Sequence, residues 1–193
     1  MPVERQNPDG IAAPETDSGT VPNLKFSFAA AHNRILSGGW AREVTARELP
    51  VAAALAGVNM RLEPGAMREL HWHPNADEWQ YYLGGEGSMT VFASGGKART
   101  FDYRAGDIGY VPFAMGHYIL NTGEGRLTFL EMFRSSRFTD ISLSQWTGLL
   151  PPQLVKDHLN LDDATIAALP REKPMIRRTI GTSSLREGGG PFP

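Results

Sequence analysis

The chain has 193 residues, which is enough for one substantial hydrophobic core and short for two ordinary domains. Its 19 Lys and Arg residues are balanced by 21 Asp and Glu residues, and this near-neutral charge argues against nucleic acid or an anionic membrane surface as a partner. Because the sequence contains no cysteine, disulfides and thiolate metal sites are excluded, and any metal ligand must be His, Asp or Glu.

Targeting signals are not visible in the sequence. The start lacks the basic residues and apolar run of a secretion signal, and no later segment approaches the roughly 18 continuous apolar residues of a membrane span. We therefore expect a soluble, cytoplasmic protein.

Short strands dominate the first two thirds of the chain. Residues 1–23, rich in Pro, Asp, Gly, Glu and Thr, are predicted to form an irregular N-terminal arm. Residues 24–142 are predicted to form one all-β barrel, because short apolar runs alternate there with glycine turns. The predicted strands cover 24–28, 57–62, 79–83, 88–92, 99–103, 108–111 and 126–133, with a hairpin turn at Gly95 and Gly96.

Helical patterns follow the predicted barrel. Apolar residues recur at helical spacing in 143–150 and in 154–159, and the prolines Pro151 and Pro152 separate the two segments. A third short helix is predicted over 162–169, with Asp162 as its cap. We therefore predict C-terminal helices over 143–170 and a flexible tail over 171–193.

A dense group of potential metal ligands lies between Gly65 and Gly85. In a strand, residues two apart project from the same face, so His71 and His73 can direct two imidazoles to one point. A turn at positions 74 and 75 can then bring the Glu78 carboxylate to the same point.

A second block supplies a fourth ligand. Gly106 and Asp107 favour a tight turn into a strand, and Pro112 precedes the loop that delivers His117. The set has no soft ligand, suits Mn(II) or Fe(II) in six-coordinate geometry, and leaves about two positions for substrate or dioxygen. Ligand type alone does not exclude Zn(II) or Ni(II). The four predicted metal ligands are His71, His73, Glu78 and His117.

The two blocks resemble the two motifs of the cupin superfamily, Gly-x5-His-x-His-x4-Glu-x6-Gly and Gly-x5-Pro-x-Gly-x2-His-x3-Asn. One departure is Ala114, where the family usually has Gly in a turn. The resemblance implies a single cupin barrel, of the double-stranded β-helix or jelly-roll type, that binds one metal ion. The matched residues are Gly65, His71, His73, Glu78, Gly85, Gly106, Pro112, His117 and Asn121.

A narrower resemblance links residues 68–82, 98–101 and 109–112 to the bacterial and fungal oxalate decarboxylases, which carry two cupin domains in one chain. The similarity is a mosaic, since residues 5–73 resemble the family's first domain and residues from Pro74 to about Leu161 resemble the second. Loss of the middle by recombination in the shared Arg-Glu-Leu-His-Trp-His stretch would produce this sequence. A gene comparison with a two-domain relative that found no such junction would refute this hypothesis. The resemblance implies manganese as cofactor, oxalate as substrate, and dioxygen as activator or cosubstrate.

Arg68 matches the family's substrate-binding arginine. A planar guanidinium can clamp one carboxylate of a dianion while the metal takes the other. Regular alternation counts against this assignment, because Arg68 lies three residues before His71 and would face away from it, while Glu69 would face inward. The assignment therefore requires a β-bulge or an irregular strand start.

Two acidic residues are candidates for proton transfer. Glu131 shares its predicted strand face with Phe129 and Phe133, so burial would favour its protonated form. It matches a glutamate near the metal of the family's second domain, and we predict that it donates a proton or orients a ligand. In the family's first domain a flexible lid reading Ser-Glu-Asn-Ser supplies the product-determining proton. The matching residues 135–141 contain no glutamate, and Asp140, shorter by one methylene, is the candidate substitute.

Several functions stay open at this point. The leading prediction is a manganese oxalate decarboxylase giving formate and CO2, and the missing lid glutamate makes an oxalate oxidase giving CO2 and hydrogen peroxide the first alternative. A non-catalytic storage or sensing cupin, and an enzyme for another small dicarboxylate, are the others. The cupin resemblance implies assembly through barrel faces and terminal helices, and residues 146–159 contain enough apolar side chains for such a contact, so we expect a homo-oligomer, from dimer to hexamer.

Overall fold

The structure, a computed structural model, describes residues 15–16, 18–19 and 21–178. Within them the chain forms a series of short antiparallel strands, then three helices, and then one further short strand. The strands are β1 (Asn33–Leu36), β2 (Gly39–Val44), β3 (Ala56–Leu62), β4 (Ala66–Trp72), β5 (Glu78–Gly84), β6 (Glu86–Ala93), β7 (Lys97–Arg104), β8 (Ile108–Val111), β9 (Gly116–Asn121), β10 (Leu127–Phe133), β11 (Ile141–Ser142) and β12 (Ile176–Arg178). The helices are α1 (Leu143–Leu149), α2 (Pro152–Leu159) and α3 (Asp163–Ala167).

Two antiparallel sheets enclose the core. One sheet has the strand order β1-β2-β3-β10-β5-β8, and the other has the order β11-β4-β9-β6-β7, with β12 added beside β4. Strands β3 and β10 alternate buried and half-buried residues along their whole length, as expected for strands with one face on the core. The all-β barrel predicted from the sequence is confirmed.

Most of the predicted strands are present in the structure, and one is not. The strands predicted between 57 and 133 correspond to β3, β5, β6, β7, β8 and β10. The strand predicted over 24–28 is wrong, because the chain there is irregular and leads into a short 3-10 turn, Phe28–Ala30. The hydroxyl of Ser27 caps this turn by accepting a hydrogen bond from Ala29 N, and such a local bond competes with sheet pairing.

The predicted hairpin and helix ends are also found. Gly95 and Gly96 connect β6 to β7 with φ values of 75° and 70°, a backbone region that glycine adopts without strain. Asp162 caps α3 by accepting a hydrogen bond from Thr165 N, and Ser142 caps α1 in the same way through Gln145 N.

The segment before residue 179 corrects the prediction of a flexible tail over 171–193. Strand β12 pairs with β4, with Ile176 opposite Arg68, and Met175 and Ile176 are buried in the core cluster. The physical reason is that β4 has β9 on only one side along this stretch, and its other edge needs a partner for its backbone groups. Residues 179–193 lie outside the described residues.

Two other expectations concern regions that the structure describes only in part. Most of the predicted N-terminal arm, residues 1–23, lies outside the described residues, so its boundary with the barrel stays a prediction. Among the residues that are described, no helix is long and apolar enough to cross a membrane.

Replacing Ile176 by Ala tests whether the C-terminal segment is part of the core. Ile176 is 2% exposed, so we expect the free energy of unfolding to fall by about 2 to 4 kcal/mol, as for other buried isoleucines. Ile35→Ala is the matched control, since Ile35 is 77% exposed and its truncation should cost less than about 0.5 kcal/mol. Urea unfolding of the metal-free protein measures both, and equal effects would contradict the packing of β12.

Candidate metal centre

A β-bulge in β4 sets the orientation of the candidate site. Arg68 lies opposite Ile119 of β9, but His71 lies opposite His117, so β4 contains one residue more than β9 between these two pairs. Arg68 and His71 are consequently both buried, while Leu70 between them is 49% exposed. In a regular strand, residues three apart would face opposite sides. The irregularity that the assignment of Arg68 required is therefore present.

Glu69 is buried as well, but its carboxylate is used outside the metal cluster. It accepts a hydrogen bond from the Ser142 hydroxyl at 2.6 Å and one from Met175 N at 3.1 Å. The inward glutamate expected from alternation thus ties β4 to the start of α1 and to the C-terminal segment.

The four predicted metal ligands converge on one point. His71 lies at the end of β4, His73 just after it, Glu78 at the start of β5, and His117 in β9. All four side chains are buried, and one ligand atom from each lies within 4.8 Å of the others. Because the four ligands come from adjacent strands of both sheets, the barrel itself holds them together.

The hydrogen bonds of the imidazoles leave the ligating nitrogens free. The Nδ1 atoms of His71, His73 and His117 lie 2.6, 2.8 and 3.1 Å from the backbone oxygens of Glu69, Thr139 and Met115. Since a carbonyl oxygen only accepts, each Nδ1 carries the proton and each Nε2 presents a lone pair. The three Nε2 atoms and Oε2 of Glu78 are buried without a hydrogen-bond partner among the described residues. A bound cation accounts for this otherwise costly group of atoms.

Distances and electrostatics fit a divalent cation. Glu78 Oε2 lies 2.9 Å from Nε2 of His73 and of His117, close to the roughly 3 Å that separates neighbouring octahedral ligands at about 2.1 Å from a metal. Burial, reinforced by Arg68 and His117, lowers the pKa of His71 well below its usual value. Burial opposes ionisation of Glu78, but positive charge on His117 and His73 holds its pKa well below the usual range, and a bound cation would supply that charge when the imidazoles are neutral ligands. Neutral imidazole and ionised carboxylate are the forms that bind metals.

Arg68 is fully buried and ion-paired. Its guanidinium donates to the Asp140 carboxylate and, at 3.3 Å, to the backbone oxygen of Met175, while Nε has no partner among the described residues. Lys173 donates to the other oxygen of Asp140. Burial opposes ionisation of Asp140, but these two cations lower its pKa to about 2. Asp140 is therefore an ionised acceptor in this conformation, which counts against it as a proton donor.

Glu131 has the opposite character. It lies in β10 between the buried residues Phe129 and Phe133, is itself fully buried, and neither carboxyl oxygen has a hydrogen-bond partner among the described residues. Burial, reinforced by the charge of Glu78, raises the pKa of Glu131 well above its usual value. The inward orientation predicted from the sequence is confirmed, and this environment favours the neutral form of the carboxylic acid.

Two neighbours of the site were not identified from the sequence. Lys173 lies in the predicted tail with no motif around it, so nothing in the sequence connects it to Asp140. Gln80 donates a hydrogen bond to Glu78 from two residues along the same strand. The period of two in β5 was the signal that could have found Gln80.

The antiparallel barrel and its buried His and Glu cluster define a metal-binding β-barrel protein. The Cupin family model matches residues 26–167, and the chain belongs to this family. The cupin resemblance found in the sequence is thereby confirmed.

Curated relatives and solved structures that are similar to this chain include oxalate decarboxylases. The chain is similar to a probable oxalate decarboxylase of Arthroderma benhamiae, with 44% identity over 140 residues that cover 72% of this chain and 35% of that protein. Among solved structures, the oxalate decarboxylase of Bacillus subtilis, studied for its Mn(II) centres, matches with a TM-score of 0.81 and 42% identity over 90% of this chain and 46% of that one. These two matches thus cover about a third of the fungal protein and under half of the bacterial one.

The alignment with the curated Bacillus subtilis oxalate decarboxylase agrees with a mosaic chain. It has 29% identity over 354 residues and covers 91% of this chain and 92% of that protein. Because the aligned length exceeds the 193 residues of this chain, a long stretch of the relative has no counterpart here. The alignment is therefore consistent with the recombination hypothesis, in which the central part of a two-domain chain was lost.

Asp140→Asn tests the buried ion pairs of Asp140 through their pH dependence. The folded-state pKa, about 2, lies below the ordinary 3.8, so the ion pairs stabilise the fold above pH 4 and lose this effect as the pH falls toward 2. We expect the free energy of unfolding of the variant to be about 3 kcal/mol lower than that of the parent at pH 6. At pH 3 this difference should be about half as large.

The control for this variant is Asp163→Asn, because Asp163 pairs with Lys156 at the surface. Because this pair is exposed to solvent, its loss should leave the free energy of unfolding almost unchanged at either pH. Urea unfolding of both variants gives the comparison, and a pH-independent effect of Asp140→Asn would show that its charge contributes nothing.

Proposed function

We propose that the protein is a manganese-dependent oxalate decarboxylase, which converts oxalate to formate and CO2. The observation that carries this proposal is the bulge in β4, because it directs a buried guanidinium to the same interior as the four metal ligands. The names of the curated relatives support the same substrate.

The roles of the metal ligands and of Arg68 follow from their chemistry. His71, His73, Glu78 and His117 would hold Mn(II), which supplies Lewis-acid and one-electron redox chemistry when bound. Arg68 would bind the distal carboxylate of oxalate, since a guanidinium pairs with a carboxylate through two parallel N–H donors. In the structure one nitrogen of that guanidinium donates a hydrogen bond to Asp140, so the substrate carboxylate would have to displace Asp140.

The proton that completes formate would come from Glu131. Cleavage of the oxalate C–C bond releases CO2, and the remaining carbon takes up one proton to form the C–H bond of formate. The overall change consumes one proton per oxalate dianion and needs no net oxidant. Glu131 is buried, protonated and without another partner among the described residues, which suits a general acid.

One observation favours oxalate oxidase as the second candidate. Asp140, the candidate substitute for the lid glutamate, pairs with Arg68 and Lys173 as an anion and is therefore poorly suited to protonate carbon. Without a proton at carbon, oxalate would instead lose two electrons to dioxygen, and two protons would complete hydrogen peroxide beside two CO2.

An incubation of manganese-loaded protein with oxalate in air at pH 4 to 6 separates these reactions. Formate and CO2 in equal amounts, lost in His117→Ala, would support the decarboxylase, and peroxide without formate would replace it with the oxidase. Neither product would favour a non-catalytic cupin, and turnover of other dicarboxylates in the same assay would identify a different substrate.

We also propose that the chain forms a homo-oligomer through its helices. An apolar cavity of about 720 Å³ lies between the outer face of β4 and the helices α1 and α2, and Leu70, Trp146 and Leu154 line it. The last two are 51% and 63% exposed, so a contact with a second copy would cover them. A monomeric mass by light scattering at micromolar concentration would refute this proposal. The cytoplasmic location stays a prediction from the sequence.

Glu131→Gln tests the proton donor. The amide keeps the size of the side chain but removes the acidic proton, so we expect formate production to fall by about 100-fold or more while the bound manganese is retained. The fraction of turnovers that yield peroxide should rise. Glu86→Gln, at an exposed position of β6, is the matched control and should leave both products unchanged. Unaltered formate production by manganese-loaded Glu131→Gln would exclude Glu131 as the donor.

A further inference from the structure

A line of hydrogen bonds runs along the inner face of β5 to the metal ligand Glu78. The Tyr82 hydroxyl donates to Gln80 Oε1 at 2.8 Å, and Gln80 Nε2 donates to Glu78 Oε1 at 2.7 Å. The three residues are spaced by two along the strand, so they share one face, and all are fully buried.

The chemistry of the end groups fixes the direction of these bonds. An ionised carboxylate only accepts, so the amide nitrogen of Gln80 must face Glu78 and its oxygen must face Tyr82. Burial, reinforced by the neighbouring Tyr103, raises the pKa of Tyr82, which therefore keeps its proton and remains a donor. The amide orientation of Gln80 is thus determined from both sides.

Packing holds the amide in this place. Gly109 of β8 lies opposite Gln80, and a Cβ at position 109 would collide with the Gln80 amide oxygen. The ring of Tyr82 stacks on that of Tyr103, with centroids 4.5 Å apart. Met89 Sδ lies 3.7 Å from Gln80 Nε2 on another side. The surrounding side chains therefore hold Gln80 Nε2 in hydrogen-bonding contact with Oε1 of Glu78.

The two oxygens of Glu78 consequently differ. Oε1 is occupied by Gln80, whereas Oε2 is free and lies 2.9 Å from the Nε2 atoms of His73 and His117. A carboxylate with both oxygens available can bind a divalent cation through both, which uses one coordination position more. A dicarboxylate substrate needs such a position.

We propose that Gln80 is a positioning residue that limits Glu78 to one ligating oxygen and thereby keeps a coordination position open for substrate. This inference deepens the proposed function and rests on it for the identity of the metal. It assigns the hydrogen bonds of Gln80 a role in substrate access rather than in holding the metal.

Gln80→Met, with manganese as the probe, tests this inference. Methionine approximates the length of glutamine but cannot donate to Glu78, so we expect the number of exchangeable metal-bound waters, measured by water-proton relaxation, to fall by about one. The Mn(II) EPR spectrum should change, manganese affinity should be unchanged or higher, and oxalate should bind at least 10-fold more weakly. Gln153→Met, at an exposed position in α2, is the matched control and should match the parent in every measurement.

Tyr82→Phe provides a second variant, because it leaves Gln80 in place but frees its amide to rotate. We expect a mixed EPR spectrum with the parent and the Gln80→Met components. An unchanged water number and EPR spectrum in Gln80→Met would overturn the inference. Loss of manganese binding in both variants would overturn it as well, since a second available oxygen should not weaken the site.

Catalysis and the coordination of manganese are measured separately in these experiments. The water number and the EPR spectrum require bound manganese but no turnover of oxalate. A parent protein that binds manganese and yields neither formate nor peroxide would refute the proposed enzyme, while the Gln80 variants would still decide the role of Gln80.

Discussion

Strand β4 presents both Arg68 and the metal ligand His71 to the barrel interior, because a single bulge places these residues, three apart, on one face. Arg68 and His71 would otherwise lie on opposite faces of the strand, and the guanidinium and the metal could not bind one small anion together, as the proposed function requires. The bulge is supported from outside. Glu69, at the irregularity, accepts hydrogen bonds from Ser142 and from the backbone of Met175. The C-terminal segment therefore stabilises the geometry of the site although it contributes no metal ligand.

The charges around the bulge are balanced in pairs rather than left free. Arg68 and Lys173 share the Asp140 carboxylate and favour its ionised form, whereas Glu131 is buried with no cation bonded to it, which favours its protonated form. The surroundings thus favour opposite protonation states for two acidic side chains near one metal site. In the proposed reaction the neutral acid would deliver the proton, and a substrate carboxylate would replace the anion at Arg68.

The sequence was sufficient to predict the four metal ligands, because a period of two and a short turn determine where three of them point. Glu131 was predicted for the same reason, from its alternation with Phe129 and Phe133. No local sequence pattern identifies the bulge. It was predicted only because the role that the family resemblance implies for Arg68 requires it. Lys173 was missed because its contact with Asp140 depends on how β12 lies against β4, a long-range pairing that local patterns do not encode.

Oxalate binding by Arg68 is the claim on which the rest of the account depends. The most direct test is an oxalate titration of the manganese-loaded protein, followed by the Mn(II) EPR spectrum, in the parent chain and in Arg68→Lys. We predict that both proteins bind manganese equally and that oxalate binds about 10-fold or more weakly to the variant, because lysine keeps the charge but not the paired donors. Equal oxalate affinities, or an EPR spectrum that oxalate does not alter in the parent, would contradict the account.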